Sequence, residues 1–299
     1  MGAQSRVSEV GGDSLKRLVV TADDFGLSLP VNDAVEQAHT QGILTATSLM
    51  TGAPACDDAV ERARRLPRLG VGLHLTLVDG RPVLPCDQIP SLVGPDGRFS
   101  TDPVKFGTAL FFSSELRRQA EAEVTAQFEK FRRTGLVMDH VNGHQHFHMH
   151  PVVSRIIAKL APAFGHPPVR IPVEPLRPSY AATPDRFFGR LSSWLFFIAQ
   201  TRLLRRRAIA VGLPVNDYVF GLNDSGAMIT TRVLRLLDQL PNGVSEFYFH
   251  PATMRWAGID NLPLHYLPVE EFAALTNRDI KAKAQALGVS PVSFRKAFG

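Results

Sequence analysis

The sequence predicts an α/β protein, a distorted (β/α) barrel of about seven strands with an inserted amphipathic helical segment. Three observations predict it. Short apolar, β-branched runs alternate with helical periods along most of the 299 residues, the pattern of repeated βα units around a parallel sheet. The chain is 44% hydrophobic, ample for a buried core of this size. Acids, imidazoles and a guanidinium recur where the strand candidates end, and a barrel gathers its active site at those ends. A doubly wound open sheet is the competing layout. No Gly-x-Gly-x-x-Gly follows the first strand, so a dinucleotide site is not expected.

Taken in order, residues 1–16 are polar and Gly/Ser-containing and read as a disordered tail, leaving residues 17–299 as a single barrel domain. RLVVTA (17–22) is the first strand. PVNDAVEQAHTQG is a helix with Pro30 near its start and Gly42 at its end. ILTATSLM is strand-like, CDDAVERARRLP helical with a Pro67 stop, and GVGLHLTL a strand. SSELRRQAEAEVTAQFEKFRRTG has a serine cap and a long helical period, followed by the strand LVMDHVNG. PVVSRIIAKLAPAFG is a helix, PVRIP a short strand, TRVLRLLDQLPNG a helix and SEFYFHP a strand. Two stretches interrupt this rhythm. Residues 78–112 are rich in Pro and Gly and read as one long loop of the functional kind, and residues 178–216 form an insertion.

The net charge of +5 permits attraction to anionic surfaces without selecting one. Aromatics are not interleaved with Lys and Arg in any RNA-binding signature, and no helix-turn-helix or zinc-finger pattern occurs, so nucleic acid is not an expected partner. Two cysteines, Cys56 and Cys86, cannot make a disulfide framework. The first residues lack the apolar run of a secretory signal, and a reducing cytoplasm is the expected location.

The chemistry collects at the strand ends. The first strand ends in Asp23 and Asp24, the third contains His74, the fourth runs into Asn142 and His144, PVRIP supplies Arg170, and the last carries Glu246 and ends at His250. The segment DHVNGHQHFHMHP holds five of the ten histidines. Two neutral imidazoles and one carboxylate suit a divalent ion such as Zn²⁺, Mn²⁺ or Fe²⁺ with open positions for water and substrate. Successive side chains on an extended strand alternate, so Asp23 and Asp24 cannot both point one way unless the strand is ending there. One would then bind metal while the other takes a proton from water, the arrangement for hydrolysing an amide or ester. Taken singly, an Asp pair is more often a cap or turn, and a lone His74 a satisfied core histidine; it is the joint pattern that points to a metallohydrolase.

TADDFGLS, GLHL, DHVNGHQHFHMHP and FHPA occur in the order and approximate spacing of the YdjC-like carbohydrate deacetylases, and the chain resembles that family from about Leu18 onward. The wording of VNGHQHFHMHP and VRIPVEP, with the aromatic-rich insertion, is similar to the hopanoid-biosynthesis-associated branch. The resemblance implies a distorted barrel, with one divalent ion (Zn, Mg or Mn) held by Asp24, His74 and His144, and Asp23 as general base. A more distant likeness to NodB-type polysaccharide deacetylases implies that Arg170 orients the base and that His250 is the acid; Glu246, on the same strand, is expected to steady His250. The branch implies removal of the N-acetyl group from an N-acetylglucosaminyl hopanoid. Many relatives carry Asp where this chain has Asn142, which can hydrogen-bond a ligand histidine but cannot act as a base. His146 and His148 are expected to make second-shell or substrate contacts, His150 to cap the next helix, and His140 to be structural.

RFFGRLSSWLFFIAQTRLLRRR (186–207) has six arginines and no acid, interleaved with Phe, Trp, Leu and Ile. It is too short and too charged to span a bilayer. It fits an interfacial helix on the inner face of the membrane, with aromatics toward acyl chains and arginines toward head groups, against the alternative of ordinary packing on the barrel. A homodimer is a further expectation. The rival functions are a deacetylase of soluble sugars such as chitooligosaccharides, a metal-dependent phosphoesterase or amidohydrolase, and a non-catalytic metal or glycolipid carrier.

Overall fold

The computed structural model describes residues 16–256 and 265–299, so the expected tail lies, apart from Lys16, outside the described residues. The central strand β1 (Lys16–Phe25) is buried over its last eight residues, because β2 (Ala46–Leu49) and β6 (Gly243–Phe249) pair with it in parallel on either side. Helix α1 (Leu29–Gln41) joins β1 to β2, started by the Ser28 side chain accepting from the Val31 N–H. Helix α2 (Cys56–Arg65) buries Ala59, Val60 and Ala63. Its first turn carries Asp57 and Asp58 and its last Arg62, Arg64 and Arg65, in agreement with the helix dipole.

Strand β3 (Gly70–Leu75) follows, then α3 (Pro103–Phe112), α4 (Ser114–Arg133) and β4 (Met138–Gly143). The loop expected over residues 78–112 therefore needs correction. Asp102 caps Val104 and Lys105, and Pro103 opens a ten-residue helix there. Helices α5 (Pro151–Leu160), α6 (Leu176–Ala182) and α7 (Phe187–Ala210) precede the short β5 (Tyr218–Phe220), and α8 (Thr230–Asp238) leads into β6. Helices α9 (Pro268–Leu275), α10 (Arg278–Ala286) and α11 (Phe294–Phe298) end the chain.

Six parallel strands in the order β4-β3-β2-β1-β6-β5 form one sheet. PVRIP is not one of them. Val169 makes a single bridge to Val141 on one side and to Val215 on the other, and Val173 accepts from the Val219 N–H. Two prolines, Pro168 and Pro172, remove donors from this segment, which explains why it spans the gap between the sheet edges without becoming a strand. The result is a distorted barrel with one irregular side.

Helix α7 also differs from expectation. Its buried positions are Arg190, Thr201, Leu204 and Ala208, whereas Phe188, Leu195, Phe196 and Ile209 are exposed. Charged and apolar residues surround the helix, so it is not amphipathic. Of its arginines, Arg190 is buried among carboxylates, Arg205 donates to the carbonyls of Asn216 and Asp217, and Arg207 to that of Pro151 and to Ser154. These three are engaged by groups within the protein. No described helix is long and apolar enough to cross a membrane.

Candidate active site

The carboxyl ends of the strands surround a cavity of about 420 Å³ lined by Asp23, Asp24, His74, His144, His146, Tyr248 and His250, among others. Alternation along β1 would send Asp23 and Asp24 to opposite faces. The register with β2 shifts between Ala22 and Phe25, and Asp24 has φ 64°, so a bulge turns both carboxylates to the same cavity. Asp79, Gln145 and His146, also at the cavity, have φ of 48°, 50° and 55°. Left-handed backbone at non-glycine residues stores strain, and such positions gather at functional sites.

Asp24, His74 and His144 each present one ligand atom, all within 4.8 Å of one another. Strand pairing sets His74 beside Asn142, and the His74 Nδ1–H donates to Asn142 Oδ1 at 2.7 Å. That hydrogen bond leaves His74 Nε2 as the lone-pair nitrogen. It lies 3.2 Å from Asp24 Oδ1 and, though buried, has no hydrogen-bond partner. His144 Nδ1 is 2.9 Å from the same oxygen. Burial lowers the proton affinity of His144, but the Asp24 carboxylate outweighs it and raises it overall. An orphaned imidazole nitrogen, a second imidazole and a carboxylate converging at this spacing fit a divalent ion of the zinc or manganese type. Asn142 then fixes the tautomer and ring orientation of a ligand histidine.

Asp23, 2% exposed, is fastened from below. Arg170 Nη1 and Nη2 donate to its two oxygens at 2.6 and 2.9 Å. Asn142 Nδ2 donates to Oδ1 at 3.2 Å, and Ser48 Oγ lies 2.9 Å from the same oxygen. Burial alone would raise the pKa of Asp23. The Arg170 charge, with smaller effects of His74 and His250, reverses this and holds the carboxylate well below its usual range. Ser48 Oγ is also 2.9 Å from His140 Nε2, and His140 Nδ1 is 3.1 Å from Asp139 Oδ2. The ring of His140 lies over β3, and a Cβ at Gly72 would come within 2.5 Å of it, which explains the glycine in GVGLHL.

Glu246 is placed differently from expectation. Fully buried, it accepts from Arg170 Nε at 2.9 and 3.0 Å and from Nη2, so it holds the guanidinium and does not touch the His250 side chain. The group that steadies His250 is Glu271, which accepts from its backbone N–H. His250 Nδ1 is buried without a partner at the cavity, and burial lowers its proton affinity, so the ring rests neutral.

The remaining histidines divide. The strand does not continue past Gly143, since the left-handed Gln145 and His146 turn it into a 3₁₀ segment. His146 faces the cavity with Nε2 3.1 Å from the Tyr248 hydroxyl. His148 does not line the cavity. Its Nε2 donates to the Arg170 carbonyl at 3.0 Å, and burial pulls its pKa down to about 3. His150 Nδ1 accepts from the Val152 N–H and caps α5, while His140 lies deeper on the side of the sheet that carries Asp23, against Ser48.

Sequence reasoning missed Ser48, Asp79, Tyr248, Tyr266 and Glu271. Tyr248 had a signal: it falls between Glu246 and His250 at strand spacing, and its ring lies 4.9 Å from the Arg170 guanidinium. Ser48 follows from parallel pairing of TSLM with the Asp pair. Glu271 had none, being far along the chain in a helix.

Over residues 17–286 the chain matches the family described as YdjC-like protein. It is 30% identical over 281 residues to a carbohydrate deacetylase of Geobacillus stearothermophilus, covering 94% of this chain and 97% of that one. A carbohydrate deacetylase of Brevibacillus brevis is 37% identical over 156 residues, 52% of this chain and 59% of that relative's length. A crystal structure from Enterococcus faecalis, provisionally described as a cellobiose-phosphate cleavage protein, superposes with a TM-score of 0.73 at 24% identity, covering 94% of this chain and 98% of that one. At that identity the likeness is one of fold.

Proposed function

The chain belongs to the YdjC-like family, and from that premise we propose that it is a metal-dependent carbohydrate N-deacetylase, hydrolysing the acetamide of an N-acetylated sugar to acetate and an amine. The observation that carries this reading is the division of the Asp pair: Asp24 joins two histidines at ligand spacing while Asp23, one residue away, is fastened to Arg170. A divalent ion held by Asp24, His74 and His144 would polarise the acetyl carbonyl and acidify the attacking water. Asp23 accepts the proton of that water. Arg170, itself held by Glu246, fixes its position, and because the guanidinium favours the anion Asp23 keeps the proton loosely. His250 faces the same cavity and delivers a proton to the departing nitrogen. Since it rests neutral, the proton it delivers is the one Asp23 took from the water, passed on before the carbon–nitrogen bond breaks.

The finer reading is an N-acetylglucosaminyl hopanoid reached at the inner face of a membrane. It rests on the wording of the motifs and on the exposed Phe188, Leu195 and Phe196 of α7, which offer apolar contact even though Arg190, Arg205 and Arg207 turn inward. The relatives carry only the description carbohydrate deacetylase, which favours a soluble N-acetylated sugar as the second reading. Mass spectrometry of N-acetylglucosaminyl bacteriohopanetetrol after incubation with metal-loaded protein separates them. Loss of one acetyl group, blocked by a chelator and absent in Asp23→Asn, is the expected result. Acetate from chitobiose alone would keep the chemistry and move the substrate to the soluble class. Turnover retained in Asp23→Asn would remove Asp23 as the base.

A further inference from the structure

Asp79 and Gln145 line the catalytic cavity, and neither takes part in the proton transfers. They follow neighbouring strands, Asp79 after β3 and Gln145 after β4, and each holds left-handed backbone, with φ of 48° and 50°. Gln145 Nε2 donates to Asp79 Oδ2 at 3.2 Å, so two strained residues from two loops are joined side chain to side chain. The Asp79 backbone is pinned as well, its N–H donating to the Ser100 carbonyl at 3.0 Å. Among the described residues, Asp79 Oδ1 accepts no hydrogen bond and the carboxylate makes no ion pair. Strain of this kind persists where the surroundings impose it, and it gathers at ligand clamps. Charge gives a second, independent observation. Among the described residues no lysine or arginine side chain lines the cavity, whereas three carboxylates do, Asp23, Asp24 and Asp79. Arg170 is fully buried and offset by Glu246. A divalent ion on Asp24, His74 and His144 would be offset by Asp23 and Asp24. That leaves Asp79 as the uncompensated charge.

We infer that Asp79, held by Gln145, is a specificity-determining residue: it accepts from hydroxyl groups of a sugar without charged substituents and excludes anionic, phosphorylated sugars from the catalytic cavity. The inference rests on the deacetylase reading and adds which sugars that site admits. A carboxylate is an acceptor only, so it takes hydrogens from hydroxyl groups and repels a second anion. A cavity of about 420 Å³ leaves an anionic group little room to lie farther from Asp79 than the Debye length, about 8 Å in physiological salt, so screening between them is incomplete. An unpaired charge facing the wrong ligand is a general source of specificity.

The test compares chitobiose with chitobiose 6-phosphate as substrates of the metal-loaded enzyme. The expected kcat/KM for the neutral sugar is higher by about tenfold or more, and the ratio should fall toward one in Asp79→Asn. Asparagine keeps an acceptor oxygen and tolerates left-handed backbone, so the charge alone is removed. The ratio should also shrink as sodium chloride is raised. Asp238→Asn, at an exposed acid paired with Lys283, should leave it unchanged. Because the ratio is read within one variant, a general loss of folded protein does not move it. The hydroxyl contact is read from Asp79→Gly, since glycine takes this backbone without strain. KM for chitobiose should rise by about tenfold with kcat little changed, the mark of binding lost equally from substrate and transition state. A fall in kcat with KM unchanged would overturn that contact and give Asp79 a structural role. Titration calorimetry on metal-loaded Asp23→Asn protein, which should bind without turnover, reads the preference without hydrolysis. If the unmodified enzyme hydrolyses neither sugar, the deacetylase reading fails and the calorimetric preference alone decides the role of Asp79. Equal or tighter binding of the phosphorylated sugar, or a ratio that Asp79→Asn does not move, overturns the inference.

Discussion

Arg170 and Arg190 are both buried guanidinium groups set among carboxylates, at 0% and 2% exposure, and they are put to different uses. Arg170 lies in the irregular segment beside β4 and binds Asp23 and Glu246, one of which faces the cavity. Arg190 lies in the first turn of α7 and gathers Asp185 at 2.9 Å, Asp224 at 3.1 Å and Ser179 at 2.7 Å, with Glu174 at 3.6 Å. It joins a helix to a loop and touches no group of the cavity. The same chemistry thus fixes a carboxylate that lines the cavity in one place and a loop in the other. Burial of an arginine is therefore no sign of function by itself; what its carboxylate partner faces decides the matter.

Removing each arginine tests the distinction. Arg170→Met leaves two buried carboxylates uncompensated, and urea unfolding should show a loss of about 3–5 kcal/mol. The protein that remains folded should lose about a thousandfold or more in kcat/KM. Arg190→Met should lose stability on a similar scale of about 3–5 kcal/mol, yet less than about tenfold in kcat/KM on chitobiose. Equal losses of activity in the two would break the comparison.

Glu271 sharpens it from the other side, as a buried carboxyl with no guanidinium in contact. It accepts from the N–H groups of Met228 and His250, and burial pushes it up to about 7 from an ordinary 4.5. The folded state therefore holds its proton through that interval when the unfolded chain has released it. The contribution is fully present below pH 4.5 and is lost as pH rises toward and through 7. Glu271→Gln should reduce the loss of unfolding free energy between pH 5 and pH 8 by an amount on the order of 3 kcal/mol. An unchanged pH dependence would show that the two N–H donors compensate for burial. The smallest effect concerns the ligand shell. Asn142→Ala should weaken divalent-ion affinity by about 10–100-fold in competition with a chromophoric chelator, through loss of the His74 orientation. Unaltered affinity would mean that packing alone sets the ring.

Much of this site is legible in the chain. Asp23, Asp24, His74, Asn142, His144 and His250 fall where βα alternation ends a strand, Glu246 lies deeper in β6, and parallel pairing brings such ends together. What was not legible has particular causes. His146 and His148 were read by strand period, but left-handed backbone at Gln145 and His146 ends the strand, and no local residue preference announces it. Glu246 was placed near His250 because strand spacing gives a shared face. The competition for it by Arg170 depends on a segment 76 residues away. The arginines of α7 were read as facing lipid head groups, because Glu174 and Asp224, which meet Arg190, lie outside the helix in other parts of the chain. PVRIP resembled a strand by composition, and its flanking prolines leave it two bridges.

Ser48 has one hydrogen and stands 2.9 Å from two acceptor positions, Asp23 Oδ1 and His140 Nε2, while Asn142 donates to its oxygen at 2.8 Å. Counting hydrogens leaves two arrangements. Asp139 accepts the backbone N–H groups of Phe294 and Arg295 and sits well on the ionised side, despite its burial, so the His140 nitrogen facing it carries a hydrogen. If the other nitrogen carries one too, it donates to Ser48 and the hydroxyl turns to Asp23. If it does not, the hydroxyl turns to His140 and Asp23 has one bond fewer. These two settings differ by a single proton and by no heavy atom. A ring lying deeper on the same side of the sheet, outside the lining of the cavity, thereby sets how many hydrogen bonds reach the carboxylate.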